Sequence, residues 1–472
     1  MASKEVKDFV VAIELGSSKI TGIAGKKNSD GSVMIYAYAR EDSSSFIKRG
    51  MVYNIDKTAA CLVNIKYKLE TSLKAYIDKA YIGISGQSLH TKLNTIEQLF
   101  STETVISKET IDALQKTNQE TPLEGYELLQ VIAQEYKVGS TYQMDPIGVP
   151  CDSSIEGRFL NILARKALRN NLEKCLDLAG ITVAEYFICP VALADSVLTD
   201  AEKRSGCALV DLGAQTTTIS IFKNNIMRHM CVVPLGGYNI TKDISAQQIE
   251  EEDAEELKLK FGSAYTEDEE VEAAEETKTY PVTEDRKIDA KLLSDIVESR
   301  VEEIIANVVE QIRQSGFAND LMAGIVLTGG GANLRNMELA FKKRTNFEKI
   351  RTSKFITNPV EGKNPDIKSR DGSLNTVLSL LIKGKDNCYG APMESESLFG
   401  PNGETYQERQ QELMRQKAEE EARRKAEEEA ARKAEEDAAA QKQKEEEEQQ
   451  RKENSIFNKV KKMIINIMKD ED

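Results

Sequence analysis

Apolar residues recur along this chain with two periods, and the places where the period changes mark its elements. Val10–Leu15 is an apolar run interrupted by Glu14. A polar turn, Gly16-Ser17-Ser18-Lys19, follows, and Ile20–Gly25 is mostly apolar again. The pattern predicts two strands joined tightly. Cys207–Phe222 repeats it: strands are predicted over Ala208–Asp211 and Thr217–Phe222, with a turn at Gly213–Gln215 and with Ile219 and Ile221 alternating with polar neighbours. In both copies the order is apolar strand, acid, Leu-Gly, hydroxyl-bearing turn, second strand. Either stretch alone would also serve as a plain hairpin. Two copies about 200 residues apart predict a duplicated domain facing a shared cleft.

Between and beyond the copies the periods alternate. Ser32–Ala39 reads as a third strand. A loop with Arg49, Gly50 and Met51 leads into helical spacing over Asp56–Tyr76, with Leu62, Ile65, Leu69, Leu73 and Tyr76 on one side. Ala80–Ile84 is a short strand. From Gln87 to Arg165, short strands (His90–Leu93, Leu128–Tyr136, Phe159–Ala164) surround a helix near Lys108–Thr117 and an irregular Asp145–Gly148 loop. This reads as a compact α+β insertion, expected to be removable from a core that still folds. Ala167–Ala179 is amphipathic and stops at Gly180. A strand at Tyr186–Ile188 and a helix from Cys189-Pro190 to Leu198 precede the second hairpin. After it come Leu235-Gly236-Gly237, helices from Tyr238 and over Glu251–Phe261, and an acidic loop at Thr266–Glu276. The longest helix of the body, Ile288–Gln314, is followed by a buried strand, Gly324–Thr328, and a last helix at Gly372–Ile382.

Composition narrows the function classes. The 472 residues suffice for two or three domains, and a formal net charge of −15 argues against nucleic acid as the main partner. The 7 cysteines are scattered without a CxxC pair, and there are 2 histidines, His90 and His229, which excludes the usual zinc sites. That usage fits a reducing cytoplasm. Neither a signal-peptide core nor an apolar run of about 18 residues occurs, so the body is expected to be cytosolic.

A carboxylate at a strand end, followed by a turn of backbone N–H groups and hydroxyls, suits a phosphate with its Mg²⁺. Tandem glycines after a buried strand let backbone approach a flat ligand, although a plain strand-to-helix turn reads the same way. Taken together, Glu14–Lys19, Asp211–Thr217 and the stretch LTGGGAN at Leu327–Asn333 resemble the phosphate and adenosine signatures of the actin, sugar-kinase and heat-shock ATPase fold. That is an α/β, actin-like duplicated ribonuclease-H-type architecture. Within that group the chain resembles the FtsA family of bacterial cell-division proteins. The resemblance rests on Arg49-Gly50-Met51, Val131–Tyr136, Asp145–Gly148, Asn171–Gly180, Ser196–Thr199, Leu235–Gly237 and Ala254–Lys258.

The resemblance implies ATP and Mg²⁺ as cofactors. Gly16, Ser17, Ser18 and Lys19 would line one side of the phosphates and Asp211, Gly213 and Thr216 the other. Glu14 and Asp211 would hold Mg²⁺ through its waters, Glu255 and Lys258 would sit at the nucleoside, and Gly329, Gly330, Gly331 and Asn333 would lie against ribose and base. It also implies a layout: subdomain 1A over 1–86, 166–198 and 361–398; a family-specific insertion, 1C, over 87–165; 2A over 199–245 and 319–360; and 2B over 246–318. The insertion would serve filament contacts and later division proteins, and 2B would receive the FtsZ tail. There are departures. Glu14 stands where most of the superfamily has Asp, and Gln215 and Thr218 replace a commoner Gly and Asp. Gln215 is expected to crowd a turn that often needs positive φ. Cys189 occupies the place where hydrolytic relatives have Glu or Gln, and a thiol is a poor group for ordering water. Binding with at most slow hydrolysis is expected.

The last quarter is a different object. Residues 399–454 are dominated by Glu, Lys, Arg, Gln and Ala, with Lys417, Lys425 and Lys433 each opening a Lys-Ala-Glu-Glu unit. Pairs such as Glu421–Lys425 favour helix, and the lack of an apolar stripe argues against a coiled coil. The segment reads as a charged helix or a partly helical tether, roughly 75 Å long if fully helical. In 455–472 the composition flips. Ile456, Phe457, Val460, Met463, Ile464, Ile467 and Met468 fall within roughly a 140° arc. Lys459 and Lys462 lie away from it and Lys461 flanks it. Such a helix suits the interface of an anionic bilayer; docking on the protein's own core is the other reading, which a long polar tether disfavours. The expected whole is an ATP-binding protein that polymerises and ties FtsZ to the cytoplasmic face of the inner membrane at the division septum. A small-molecule kinase or chaperone-type ATPase on the same fold is the alternative, and neither of those needs a tethered amphipathic terminus.

Overall fold

The computed structural model describes residues 7–267, 278–283, 286–392 and 423. The expected tether and amphipathic helix, and most of the Thr266–Glu276 loop, therefore lie outside the described residues, Arg423 excepted.

Two sheets carry the body. The first has the order β14 (Thr182–Ile188), β7 (Lys79–Ile84), β1 (Val10–Leu15), β2 (Lys19–Lys27), β3 (Val33–Asp42) and β22 (Val360–Glu361). The second has the order β21 (Ile350–Thr352), β20 (Gly324–Thr328), β15 (Cys207–Leu212), β16 (Thr217–Lys223) and β17 (Ile226–Val233). Setting β22 aside, the sheets share order and sense: three antiparallel strands, then two added parallel to the first. Strands buried on both faces need near-continuous apolar runs, which is why β1, β7, β15 and β20 read that way. The hairpins match in register too. Glu14 lies opposite Thr21 and Leu15 opposite Ile20, as Asp211 lies opposite Thr218 and Leu212 opposite Thr217.

Helices cover the sheets. α1 (Ile55–Leu73) is capped by Asn54 and buries Leu62, Ile65, Leu69 and Leu73. It ends at Lys74 in the left-handed region, φ 55°, so Tyr76 belongs to strand β6 (Ala75–Ile77), paired with β23 (Tyr389–Pro392), and not to the helix. α3 (Lys166–Leu178), α4 (Cys189–Val197) and α5 (Asp200–Ser205) lead into the second half, where α6 (Gly237–Ser245), α7 (Glu251–Phe261) and α8 (Ala290–Gln314) follow β17. Strands β18 (Thr279–Pro281) and β19 (Lys287–Asp289) precede α8, and its N-cap Asp289 accepts from Leu292 N. α9 (Met337–Arg344), α10 (Pro365–Ser369) and α11 (Asn375–Lys383) complete the body.

The 87–165 segment folds around its own sheet, in the order β11 (Thr141–Gln143), β10 (Tyr126–Val138), β13 (Ser154–Arg165) and β8 (His90–Leu99). α2 (Lys108–Gln119) and the short pair β9 (Thr104–Val105) and β12 (Pro150–Cys151) close it over a core of Ile106, Leu114, Tyr136, Val138, Ile155 and Phe159. This unit also docks on β17. Met230 N donates to Thr91 Oγ1 at 2.8 Å, Gln134 Nε2 donates to Met227 O at 3.0 Å, and Arg228 Nη1 donates to Gln134 Oε1 at 3.1 Å. The sequence pattern missed β17, because Arg228 and His229 blur the alternation of a strand whose edge is covered. The overlooked signal is Asn224-Asn225, both at positive φ (55° and 64°), as a two-residue hairpin turn requires. Excising 87–165 would uncover that edge and the buried Met227 and Met230. Gln134→Ala should leave a buried carbonyl and a half-buried guanidinium short of partners. The expected cost is about 1–3 kcal/mol, read as a lower denaturant midpoint with an unchanged m-value.

Candidate functional site

The two acid-bearing turns close identically. Gly16 N donates to Lys19 O at 3.0 Å, and Gly213 N donates to Thr216 O at 2.9 Å. Each turn thus places its acid one residue before the last residue of a buried strand. There Glu14 and Asp211 lie close enough to influence each other. Burial pushes the Glu14 carboxyl up to about 7; the charge of Lys19 opposes that shift and the charge of Asp211 adds to it. Burial alone pushes Asp211 up to about 6. Lys19 is itself lowered by burial and held partly up by Glu14. The Cys189 thiol, at the head of α4, is pushed well above its ordinary value by burial and then by Glu14 and Asp211. A thiol that stays protonated is no general base. It belongs to the same cluster.

Glu14 Oε2 is shielded from water and has no hydrogen-bond partner. A bare, buried carboxylate oxygen beside a second carboxylate fits a hydrated cation. Among the described residues no set of three or more His, Cys, Asp or Glu gathers to hold a metal. Two carboxylates without a protein cage suit Mg²⁺, which keeps most of its waters and shares its shell with phosphate.

The other half of the predicted site meets at the start of α6. Gly237 N donates to Gly213 O at 3.0 Å and Tyr238 N to Ala214 O at 2.7 Å, so the helix is seated on the second turn. Buried Lys258, on α7, donates to Glu255 Oε2 at 2.6 Å, Thr241 Oγ1 at 2.9 Å and Gly237 O at 3.1 Å. The missing side chain of Gly237 faces a cradle bounded by Gly213 O, Lys258 Nζ and Gly331 Cα, all 3.8–4.0 Å from where a Cβ would be. Sequence reasoning left Gly237 out of the site. Gly329, at φ 85°, packs directly against the second acid: a Cβ there would stand 2.3 Å from Asp211 Oδ1. Only glycine allows that approach.

Not every predicted residue converges. Ser18 is exposed, and its carbonyl accepts from Ser43 N at 3.2 Å. Asn333 donates to Asp371 O at 2.7 Å, so its amide is committed to backbone. Gly330 is exposed and faces Ser373. Gln215 corrects the expectation of crowding. Its φ is not positive, it is buried, and its Oε1 accepts from Arg49 N at 2.8 Å. The side chain leaves the turn instead of filling it.

A duplicated sheet pair of this order, with an acid-ended hairpin on each half, defines an actin-like fold. Among solved structures the chain is similar to the PilM-PilN type IV pilus biogenesis complex, with a TM-score of 0.56 and 14% identity over 81% of this chain and 99% of that one. A family model described as Cell division protein FtsA matches residues 208–377. The Cell division protein FtsA of Porphyromonas gingivalis is 30% identical over 335 residues, 70% of each chain. That of Escherichia coli K12 is 26% identical over 406 residues, 83% of this chain and 93% of that one. The chain belongs to the FtsA family of cell-division proteins.

Proposed function

We propose that this actin-like division protein binds ATP with Mg²⁺ in the cleft between its hairpins, polymerises, and anchors FtsZ to the cytoplasmic face of the inner membrane at the septum. The observation that carries the reading is the pairing of Glu14 and Asp211 on matched turns, with the buried Glu14 Oε2 lacking a hydrogen-bond partner and the Glu14 carboxyl under the charges of both Lys19 and Asp211. Gly16, Ser17 and Lys19 would take one side of the phosphates, and Gly213 and Thr216 the other. Gly237, Lys258 and Glu255 would bound the nucleoside, together with Gly329 and Gly331. Mg²⁺ supplies charge to the phosphates, and Glu14 and Asp211 hold its waters. Family membership favours this reading over a metabolic kinase or a chaperone.

No helix among the described residues is long and apolar enough to cross a membrane. The sequence pattern assigns membrane contact to the amphipathic 455–472 segment, and the family resemblance assigns FtsZ to the 246–318 segment and later division proteins to 87–165. ATP acts mainly as a structural ligand that stabilises the closed cleft by RT ln(1 + [L]/Kd) and favours the polymerising form. Protonated Cys189 is unsuited to ordering an attacking water, so phosphate release should stay below roughly 1 s⁻¹ per subunit, slow beside ordinary enzymes. Faster release in a coupled phosphate assay would contradict that. Co-sedimentation of FtsZ with anionic liposomes, with this protein and ATP present or omitted, tests the whole reading. FtsZ should pellet only when both are supplied, and pelleting indifferent to this protein would overturn it.

A further inference from the structure

The Arg49–Gly50 turn, between β4 (Ile47–Lys48) and β5 (Met51–Val52), touches both acid-bearing turns at once. Its two successive backbone N–H groups point at opposite halves of the molecule. Arg49 N donates to Gln215 Oε1 at 2.8 Å, and Gly50 N donates to Ser17 Oγ at 2.7 Å. Both residues hold positive φ, 51° and 73°, and Arg49 is not a glycine, so the geometry is imposed by the surroundings. On the far side, Arg49 O accepts from Gln87 N at 3.0 Å, and a Cβ on Gly50 would stand 2.6 Å from Gly86 Cα. Gln87 opens the inserted unit and Gly86 is the residue just before it.

A backbone N–H in a turn can donate to an anion as readily as to a neutral oxygen. Here two neutral oxygens occupy the two N–H groups, one from each half. Resting on the nucleotide reading above, we propose that the Arg49 N–H recognises the terminal phosphate of a nucleoside triphosphate, while the Gly50 N–H stays on Ser17 Oγ and holds the turn against the first hairpin. Gln215 holds that place in the free protein. A triphosphate displaces the Gln215 amide from Arg49 N, and a diphosphate leaves the amide where it is. Because Arg49 O carries Gln87 and Gly50 abuts Gly86, the exchange is felt at the root of the inserted unit. This gives Gln215 a positive role in a turn where the resemblance leads to the expectation of glycine.

The test measures ATP and ADP affinity separately, each with Mg²⁺, for the full chain, Gln215→Ala and Gln215→Glu. Removing the competing acceptor should raise the ATP-to-ADP affinity ratio about fivefold, or about 1 kcal/mol at 1.4 kcal/mol per tenfold. Gln215→Glu should lower the ratio below the parent's, since a carboxylate beside the terminal phosphate repels it. Should the Ala variant fail to fold, the Glu variant keeps the side-chain length and carries the test. A ratio equal to the parent's in the folded variants overturns the proposal and leaves the nucleotide site standing. A parent chain that binds neither nucleotide removes the site reading and the proposal together.

Discussion

Asp211→Ala and, separately, Gly237→Leu should each abolish binding of Mg-ATP, and their stabilities should diverge. The first removes one of two carboxylates that hold the cation's waters. The second leaves both carboxylates in place and fills the cradle bounded by Gly213, Lys258 and Gly331. Burial lifts Asp211 from 3.8 to about 6, so ionising it is uphill in the folded, ligand-free protein. For an acid with a raised folded pKa, its contribution is fully present below the unfolded value and lost as pH rises through the folded one. At pH 8 the ionised carboxylate should therefore cost the parent on the order of 2–3 kcal/mol. Asp211→Ala should melt above the parent near pH 8 and lose that advantage near pH 4, while failing to bind a fluorescent ATP analogue at either pH. A purely structural aspartate would give the opposite stability change. In the parent, Mg-ATP affinity should rise as pH passes from about 5.5 to about 8, because the cation requires both carboxylates ionised. Near-parent affinity in both variants would overturn the site.

Phe457→Glu combined with Ile464→Glu should release the protein from membranes even when it is polymerised. At helical spacing the seven apolar residues of 455–472 would fall on one arc, and a carboxylate there would have to be dragged into the acyl boundary or hold the segment off it. A single such helix binds reversibly, as one lipid chain does, so a monomer should leave readily. A filament presents many linked copies at high effective concentration and should stay. Changing Lys459, Lys461 and Lys462 to Gln should weaken binding moderately. Each lysine contributes about 1 kcal/mol near an anionic leaflet, so the loss should be confined to anionic vesicles and should shrink at high salt. Co-sedimentation on neutral and anionic liposomes separates the two effects. If the double-Glu protein still pellets like the parent, the anchor lies elsewhere.

Much of the fold was legible because its signals are local. An apolar run ended by an acid and a Leu-Gly turn encodes a buried strand and its exit within about ten residues, and β1–β2 and β15–β16 obey it. Elements whose pattern is set by a distant partner were harder to read. β17 shows mixed polarity because the inserted unit covers its edge, so its strand character depends on residues such as Gln134, 93 positions away in the bond to Met227. Tyr76 fits the period of α1 yet leaves it, since Lys74 adopts a left-handed cap and the chain pairs with β23.

By itself the sequence determined the duplication, the acids at matched strand ends, the tandem glycines and the amphipathic character of the final segment. Each is a repeat or a period, and neither needs a fold to be seen. The tertiary structure decided what those residues do to one another. Burial beside its neighbours lifts Glu14 to about 7. Gly329 is required by the Asp211 carboxylate that approaches it, and Gly237 stands in the wall of a cradle. Gln215, an apparent misfit in its own turn, finds its hydrogen-bond donor 166 residues away. A side chain's partner at that separation leaves no mark on local spacing, because it is chosen by where two sheets bring their turns and not by the order of residues around it.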